Sequence, residues 1–157
     1  MVAGNKFCKF ILDFLASLFY VGHIPYCPGT IASFVTLITL FFLPTIPAIY
    51  FFYGCLILFF VGVFVSEKVA ISCRQHDPSN IVIDEVLGMS VSLFLVPKIW
   101  WLYGVAFLVF RFFDISKLFG IAKIEKISWG WGIMMDDLAA GLLTLGVVSL
   151  IRLFAGF

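Results

Sequence analysis

Long apolar stretches, interrupted by short polar ones, dominate the chain and predict a set of helices. Five of these apolar stretches are long enough to form helical segments: A at about 30–43, B at about 48–73, C from the polar stretch 74–85 to 96, D at about 99–117, and E at about 136–154. Pro44 and Pro47 stop segment A, and Pro97-Lys98 separates C from D. The pattern therefore predicts an all-α fold.

The first twenty residues show a different pattern. Lys6, Lys9 and Asp13 alternate with aromatic and aliphatic residues at rough helical spacing. An amphipathic helix of this kind suits the plane of a membrane interface better than a crossing. We therefore expect an integral membrane helical bundle of about five apolar helical segments, preceded by an interfacial helix within 1–20, in a single domain covering 1–157.

Composition favours a membrane protein as well. The chain is 63% hydrophobic and 12% charged, and its mean hydropathy is +1.16, far above the values typical of soluble proteins. A net charge of +1 excludes a broad polyanion-binding surface, so nucleic acid is not an expected partner. The four cysteines are scattered without the spacing of a metal site, and we interpret them as small apolar packing residues.

The order of the segments places the polar stretches together. If A, B, C, D and E cross in alternating directions, the stretches around 22–30, 74–85 and 111–137 share one face of the membrane. The opposite face holds only the short turns near 44–47 and 97–98 and the end of segment E. A, C and E then all begin at the shared face, so three helix N-termini converge there. Segment A, at ~21 Å of helix, is short for a ~30 Å hydrocarbon core.

The basic residues predict which way the bundle faces. Eight of the ten lysines and arginines lie on the shared face: Lys6, Lys9, Lys68, Arg74, Arg111, Lys117, Lys123 and Lys126. Lys98 and Arg152 lie on the other. The positive-inside tendency therefore predicts a multi-pass protein of the inner, cytoplasmic membrane whose polar face is cytoplasmic.

Six of the nine acidic residues cluster at the shared face: Asp77, Asp84 and Glu85, then Asp114, then Asp136 and Asp137. Ionisable groups at a membrane boundary are costly and usually indicate a metal, a partner or a substrate path. Paired carboxylates supply the hard oxygen ligands that Mg²⁺ prefers, so we expect Asp84, Glu85, Asp136 and Asp137 to hold Mg²⁺. Helix capping and compensation of the helix dipole are the structural alternative for each pair.

Arg111, Asp114 and Lys117 follow i, i+3, i+6 spacing at the cytoplasmic end of segment D. A phosphate site would use the two cations to bind phosphate oxygens while Asp114 assists the metal. A purely structural pairing of these three side chains at the membrane boundary is the alternative.

Three further features could contribute to a site. The sequence 28–33 (PGTIAS) resembles a helix start in which Thr30 caps the helix, and the first-turn N–H groups up to Ser33 form an anion site. His23 and His76 lie in predicted loops on the polar face, where either could protonate a leaving oxygen or bind metal, although lone loop histidines are often incidental. We interpret 129–132 (WGWG) as a flexible interfacial loop.

Four segments together resemble the phosphatidylglycerophosphatase A family: PGTIAS (28–33), HDPSNIVIDEVLG (76–88), FRFFDISK (110–117) and GWGIMMDDLAAG (130–141). The motifs stand in the family's order across most of the chain. The resemblance implies an all-helical, Mg²⁺-dependent lipid phosphatase that converts phosphatidylglycerophosphate to phosphatidylglycerol. Its acidic, arginine-containing and second acidic motifs match Asp84, Glu85 and Gly88; Arg111, Asp114 and Lys117; and Asp136 and Asp137.

We therefore expect a catalytic set of Asp84, Asp114, Asp137 and His23, with water, His23 or His76 protonating the leaving oxygen. Phosphate would be bound by Arg111, Lys117, Thr30 and Ser33, and a water would attack phosphorus in line; an aspartyl-phosphate intermediate is the rival. Membrane lipid is the expected partner. Two other classes remain open: a small cation transporter for Mg²⁺ or protons, with acids near the membrane midplane, and a non-catalytic scaffold whose acids only cap helices.

Overall fold

The computed structural model describes residues 6–75, 78–116 and 129–156, and these residues form six α-helices and no strand. The helices are α1 (Lys6–Ala16), α2 (Pro28–Phe42), α3 (Ala48–Cys73), α4 (Ile83–Ser92), α5 (Trp100–Ser116) and α6 (Trp129–Ala155). A 3₁₀ turn, Val21–His23, lies between α1 and α2. The all-α prediction is confirmed.

The short helix α4 forms the centre of the bundle. It packs against α6 most extensively and also contacts α2, α3 and α5. Eight of its ten residues are buried, including Asp84 in its first turn and Leu87 and Met89 beyond it. Because helices surround α4, the acidic first turn faces the protein interior, and burial of the apolar residues that follow holds it there.

Two of the described helices, α3 and α6, are long and apolar enough to cross a membrane by length and composition, at 26 and 27 residues. The predicted segments A to E correspond in position to α2 to α6, but the other three helices are shorter. α2 has 15 residues, α5 has 17 and α4 has 10, which makes α4 about 15 Å long. The prediction of about five apolar spans is therefore supported for two helices.

Two predicted boundaries were wrong. Segment E was expected to begin at Asp136 after a flexible loop, but α6 begins at Trp129 and includes the WGWG sequence. Gly130 explains the difference, since a Cβ there would collide with the backbone of α3 at Val63. The close packing of Gly130 against α3 stabilises the helical conformation, despite the low helix propensity of glycine.

The start of α2 also differs from the prediction. The helix begins at Pro28, with Cys27 as the flanking residue, and no side chain caps it. Proline suits the first helical position because its missing N–H would have no partner within the helix. Thr30 therefore lies inside the first turn rather than at the cap.

α1 lies against α3 and exposes an apolar surface that includes Phe7, Phe10 and Leu15. Its last turn is joined to the segment before α4, because the Val82 N–H donates a hydrogen bond of 2.9 Å to the Ala16 carbonyl. The amphipathic helix predicted within 1–20 is therefore present as Lys6–Ala16.

Candidate active site

A cavity of about 390 Å³ lies where the first turns of α2 and α4, the last turns of α5 and the interior of α6 meet. It is lined by residues of all four helices and of the segment before α4: Cys27, Pro28, Gly29, Thr30, Ser79, Ile81, Asp84, Glu85, Arg111, Asp114, Ile115, Asp136 and Asp137. This volume is within the range of small-molecule sites. The predicted convergence of the three acidic segments is therefore confirmed for their described residues.

Two glycines bring the acids of α4 and α6 together. A Cβ on Gly141 would lie 2.5 Å from the Gly88 carbonyl oxygen, and one on Gly88 would lie 2.8 Å from the Asp137 carbonyl oxygen. Asp84 and Asp137 each precede one of these glycines by four residues, which is about one helical turn. α4 and α6 therefore run in the same direction here, and their acids lie side by side at the cavity.

Asp84, Glu85 and Asp137 form a compact cluster of carboxylates, each with one oxygen within 4.8 Å of the others. Asp84 and Asp137 are only 9% and 3% exposed. Asp84 Oδ1, Glu85 Oε2 and Asp137 Oδ2 are buried without a hydrogen-bond donor among the described residues. Buried acidic oxygens that lack donors suit a divalent cation, which would satisfy all three at once.

The fourth predicted metal ligand, Asp136, lines the cavity but does not belong to this cluster. Its Oδ1 accepts a hydrogen bond of 3.0 Å from the Asp137 N–H. The bond is formed between neighbours and orients the Asp136 side chain beside the cluster. Within this pair, then, one acid joins the carboxylates of α4 and the other stands next to them.

Burial and mutual repulsion disfavour the ionised forms of the carboxylates in this cluster. Burial raises the pKa of Asp84 well above its usual range, and the neighbouring charges of Glu85 and Asp137 raise it further. Burial also raises the pKa of Glu85, although Arg111 opposes the shift. An apo site of this kind tends to hold protons that a metal would displace.

Arg111 and Asp114 lie on adjacent turns of α5, and their side chains form an ion pair of 2.6 Å between Nη1 and Oδ2. Both line the cavity and are mostly buried. Asp114 fixes the orientation of the guanidinium, while the buried Nε of Arg111 has no hydrogen-bond partner among the described residues. A guanidinium held in this way is suited to an oxyanion such as phosphate.

The first turn of α2 supplies Pro28, Gly29 and Thr30 to the cavity wall. The N-terminus of a helix carries partial positive charge, which favours an anion nearby. The N-termini of α2 and α4 both lie at the cavity, whereas that of α6 is about two turns from Asp136, so the predicted convergence of three helix N-termini was wrong.

Two predicted site residues lie away from the cavity wall. Ser33 is fully buried, and its hydroxyl donates to the Gly29 carbonyl at 2.8 Å. The Nε2 atom of His23 lies 2.9 Å from Asp13 Oδ2 on α1. Neither side chain lines the cavity. Lys117 and His76, with Asp77, lie outside the described residues.

Sequence reasoning missed several residues that shape the site. Cys27, Ser79, Ile81 and Ile115 line the cavity, and Asp13 binds the two segments that flank it. Asp13 had a usable signal, since it is the one acid among the aromatic and aliphatic residues of the first helix. The other four are ordinary apolar or small residues whose role depends on how distant segments meet.

Comparison with known proteins assigns the chain to a family. The family model for phosphatidylglycerophosphatase A matches residues 14–152. The chain is 33% identical over 156 residues to a Bacteroides thetaiotaomicron protein named "Putative phosphatidylinositol-3-phosphatase", covering 94% of this chain and 98% of that protein. It is 33% identical over 144 residues to phosphatidylglycerophosphatase A of Haemophilus influenzae, covering 90% of this chain and 88% of that protein.

A third relative, phosphatidylglycerophosphatase A of Escherichia coli, is 30% identical over 139 residues, covering 87% of this chain and 81% of that protein. No solved structure matches the chain. The family match covers every residue that lines the cavity. The chain therefore belongs to the phosphatidylglycerophosphatase A family.

Proposed function

We propose that this protein hydrolyses the terminal phosphomonoester of phosphatidylglycerophosphate, giving phosphatidylglycerol and phosphate, with Mg²⁺ as its cofactor. The observation that carries the proposal is the meeting of Asp84, Glu85 and Asp137 beside the Arg111–Asp114 pair, in a chain of this family. Acidic metal ligands next to an oriented guanidinium are what phosphate-ester hydrolysis requires. The transporter and scaffold alternatives have no support from the family or the relatives.

Asp84, Glu85 and Asp137 would hold the metal, with Asp136 beside them. Their three buried oxygens without donors fit a hard divalent cation in number and chemistry. When bound, Mg²⁺ neutralises negative charge on the phosphate oxygens. Without it, three crowded carboxylates would repel a phosphate.

Arg111 would bind the remaining phosphate oxygens. The Asp114 carboxylate is paired with Nη1 of its guanidinium, and the buried Nε–H can donate a hydrogen bond to phosphate. The first turn of α2, including Thr30, also lines the cavity, and its N–H groups and the Thr30 hydroxyl would favour the same anion. Lys117 is proposed as the second cation of this phosphate site.

Proton transfer falls to the buried acids. We propose that Asp137 takes the proton of an attacking water through the carboxylate oxygen that does not hold the metal. Attack by a carboxylate itself, forming an aspartyl-phosphate, is the rival route. Because His23 is paired with Asp13 outside the cavity wall, we propose that solvent protonates the leaving glycerol oxygen.

The protein is proposed to lie in the cytoplasmic membrane with the cavity on the cytoplasmic side. The two candidate spans, α3 and α6, support membrane residence, and the excess of basic residues on the cavity side supports the orientation. The acyl chains of the substrate would then remain in the bilayer while the headgroup enters the cavity.

A second substrate is suggested by the Bacteroides relative, whose name refers to a phosphatidylinositol 3-phosphate phosphatase. Both lipids are phosphomonoesters on a polyol headgroup, so one metal and arginine site could process either. Their headgroups differ in size and shape, and the cavity walls outside the phosphate site would decide between them.

The test is phosphate release by the purified protein in detergent from phosphatidylglycerophosphate and, separately, from phosphatidylinositol 3-phosphate. We expect release from the first lipid with Mg²⁺, no release with EDTA, and loss in Asp84→Asn. The matched control is Glu67→Gln, because Glu67 on α3 is an acid that does not line the cavity. Release only from phosphatidylinositol 3-phosphate would replace the proposed substrate, and release from neither by folded protein would refute the function.

A further inference from the structure

One carboxylate on α1 is hydrogen-bonded to both segments that flank the cavity. Asn80 Nδ2 donates to Asp13 Oδ1 at 2.9 Å, and His23 Nε2 lies 2.9 Å from Asp13 Oδ2. Asn80 belongs to the segment before α4, and His23 to the connection between α1 and α2. Asp13 thus joins two parts of the chain that are distant in sequence.

Both segments continue directly into the cavity wall. Asn80 stands between Ser79 and Ile81, and each of these neighbours lines the cavity. His23 precedes by four residues the stretch 27–30, which lines the cavity at the start of α2. We call 27–30 and 79–81 the two cavity walls, and their relative position depends on how His23 and Asn80 are held.

Backbone contacts support the same arrangement. The Gly22 N–H donates to the Ser17 carbonyl at 2.8 Å, and a Cβ on Gly22 would collide with the Asn80 carbonyl oxygen. Only glycine can approach the Asn80 backbone this closely. The backbones of the 3₁₀ turn and of the segment before α4 are therefore in close contact, at the residues next to and including those that Asp13 joins.

The connection from α1 to this turn is strained. Leu18, Phe19 and Tyr20 have consecutive positive φ angles of 47°, 55° and 70°, which non-glycine residues rarely adopt. Such a conformation persists only where surrounding contacts enforce it. Ring contacts of Phe14 with Phe19 and Tyr20 provide some of these contacts.

We propose that Asp13 is a positioning residue that fixes the separation of the two cavity walls, so that the phosphate site is formed before the substrate arrives. This inference rests on the proposed function. Asp13 does not line the cavity and is not part of the carboxylate cluster, so it acts only through His23 and Asn80. α1 also exposes an apolar surface that would meet the membrane interface. Through Asp13, the geometry of the active site therefore depends on this helix.

Kinetics of Asp13→Ala, Asn80→Ala and the double variant test the role. We expect Asp13→Ala to raise KM for phosphatidylglycerophosphate about tenfold, as loss of hydrogen bonds to a charged group allows, while the Mg²⁺ concentration dependence stays the same. The double variant should resemble Asp13→Ala alone, since both changes break one linkage. Asp13→Asn should restore most of the loss, because an amide can still accept from Asn80. Lys9→Ala, an exposed change on the same helix, is the control and should leave KM unchanged.

A distance measurement tests the inference without relying on activity. Cys27 and the new thiol of Ser79→Cys would carry spin labels on the two walls, in a chain whose other three cysteines, Cys8, Cys55 and Cys73, are replaced. We expect a narrow distance distribution by dipolar EPR, a broader one in Asp13→Ala, and recovery in Asp13→Asn.

An unchanged distribution in Asp13→Ala would overturn the inference, as would additive effects of the Asp13 and Asn80 changes on KM. A broadened distribution in a protein that hydrolyses neither lipid would refute the proposed function while supporting the positioning role of Asp13. The two failures are therefore distinguishable.

Discussion

Gly29, in the first turn of α2, lies directly against the carboxylate of Glu85, in the first turn of α4. A Cβ at position 29 would collide with Glu85 Oε1. The absence of a side chain lets an acid of the carboxylate cluster approach the N-terminus of α2, where the partial positive charge of the helix favours it. Gly29 thus allows close contact between α2, whose N-terminus would bind phosphate, and α4, whose acids would bind the metal.

Gly29→Ala is expected to damage the site more than the fold. The colliding atom is the end of a flexible side chain, so Glu85 can move aside at little cost in stability, but its oxygen then leaves the cluster. Because one metal ligand is then lost or displaced, we expect the Mg²⁺ concentration that gives half-maximal activity to rise about tenfold. Titration of activity with Mg²⁺, alongside the apparent Tm in detergent, measures both effects.

The control for this change is Gly146→Ala on α6, where a Cβ would meet nothing within 4 Å. That variant should keep its activity and gain slightly in stability, as alanine favours the helical state. An unaltered Mg²⁺ requirement in Gly29→Ala would show that Glu85 does not bind the metal.

The pH dependence of stability follows from the buried acids of α4. In the unfolded chain Asp84 has an ordinary carboxyl pKa of about 4, whereas in the folded chain burial raises the pKa. Between these two values the folded state holds more protons, so its stability falls as pH rises through the window. We expect the apparent Tm in EDTA to decrease from pH 4.5 upward and Mg²⁺ to restore it at pH 7.

The same measurement on Asp84→Asn should give a flatter profile in EDTA and a smaller gain from Mg²⁺, because the amide neither titrates nor binds the cation well. A profile that is equally steep in this variant would assign the pH dependence to other groups.

Arg111→Lys keeps the charge but removes the planar fork that Asp114 orients. We expect KM to rise and kcat to fall, with kcat/KM reduced by about a hundredfold, because a lysine cannot form a bidentate contact with the phosphate. Steady-state kinetics with phosphatidylglycerophosphate measure it. Arg152→Lys on α6 is the matched control, since that arginine donates to the Leu95 carbonyl away from the cavity. Equal losses in the two variants would indicate a general effect of replacing arginine.

More of the candidate site than of the helix boundaries could be predicted from the sequence. The acids of α4 and α6 and the Arg111–Asp114 pair were predictable, because charged residues in an apolar chain stand out and the order of segments places them on one face. The start of α6 was not, since Gly130 and Gly132 are typical loop residues in the sequence, and the contact of Gly130 with α3 is known only from the structure. The pairing of His23 with Asp13 depends on a reversal through Leu18, Phe19 and Tyr20, three residue types that rarely adopt positive φ.

Ile115 offers a test of how the lipid reaches the cavity. It lines the cavity and is 71% exposed, so it stands where the headgroup site meets the surface that would face lipid. Ile115→Glu is expected to lower activity on long-chain phosphatidylglycerophosphate much more than on a short-chain, water-soluble analogue, because a charge near hydrocarbon is costly. Comparison of kcat/KM for the two substrates is the measurement. Leu108→Glu is the control, because Leu108 is an exposed residue of α5 two turns before Ile115 and does not line the cavity. Equal losses on both substrates in Ile115→Glu would contradict this path.

The central claim is that acids from α4 and α6 form one Mg²⁺-dependent catalytic site, and a double-mutant cycle tests it most directly. Phosphate release from phosphatidylglycerophosphate would be measured for Asp84→Asn, Asp137→Asn and the double variant, each checked for folding. If the two acids act together, each single change should cost nearly as much as both, with a loss of at least about a thousandfold. Independent losses that multiply in the double variant, or Mg²⁺-dependent release that survives in either single variant, would contradict a shared site.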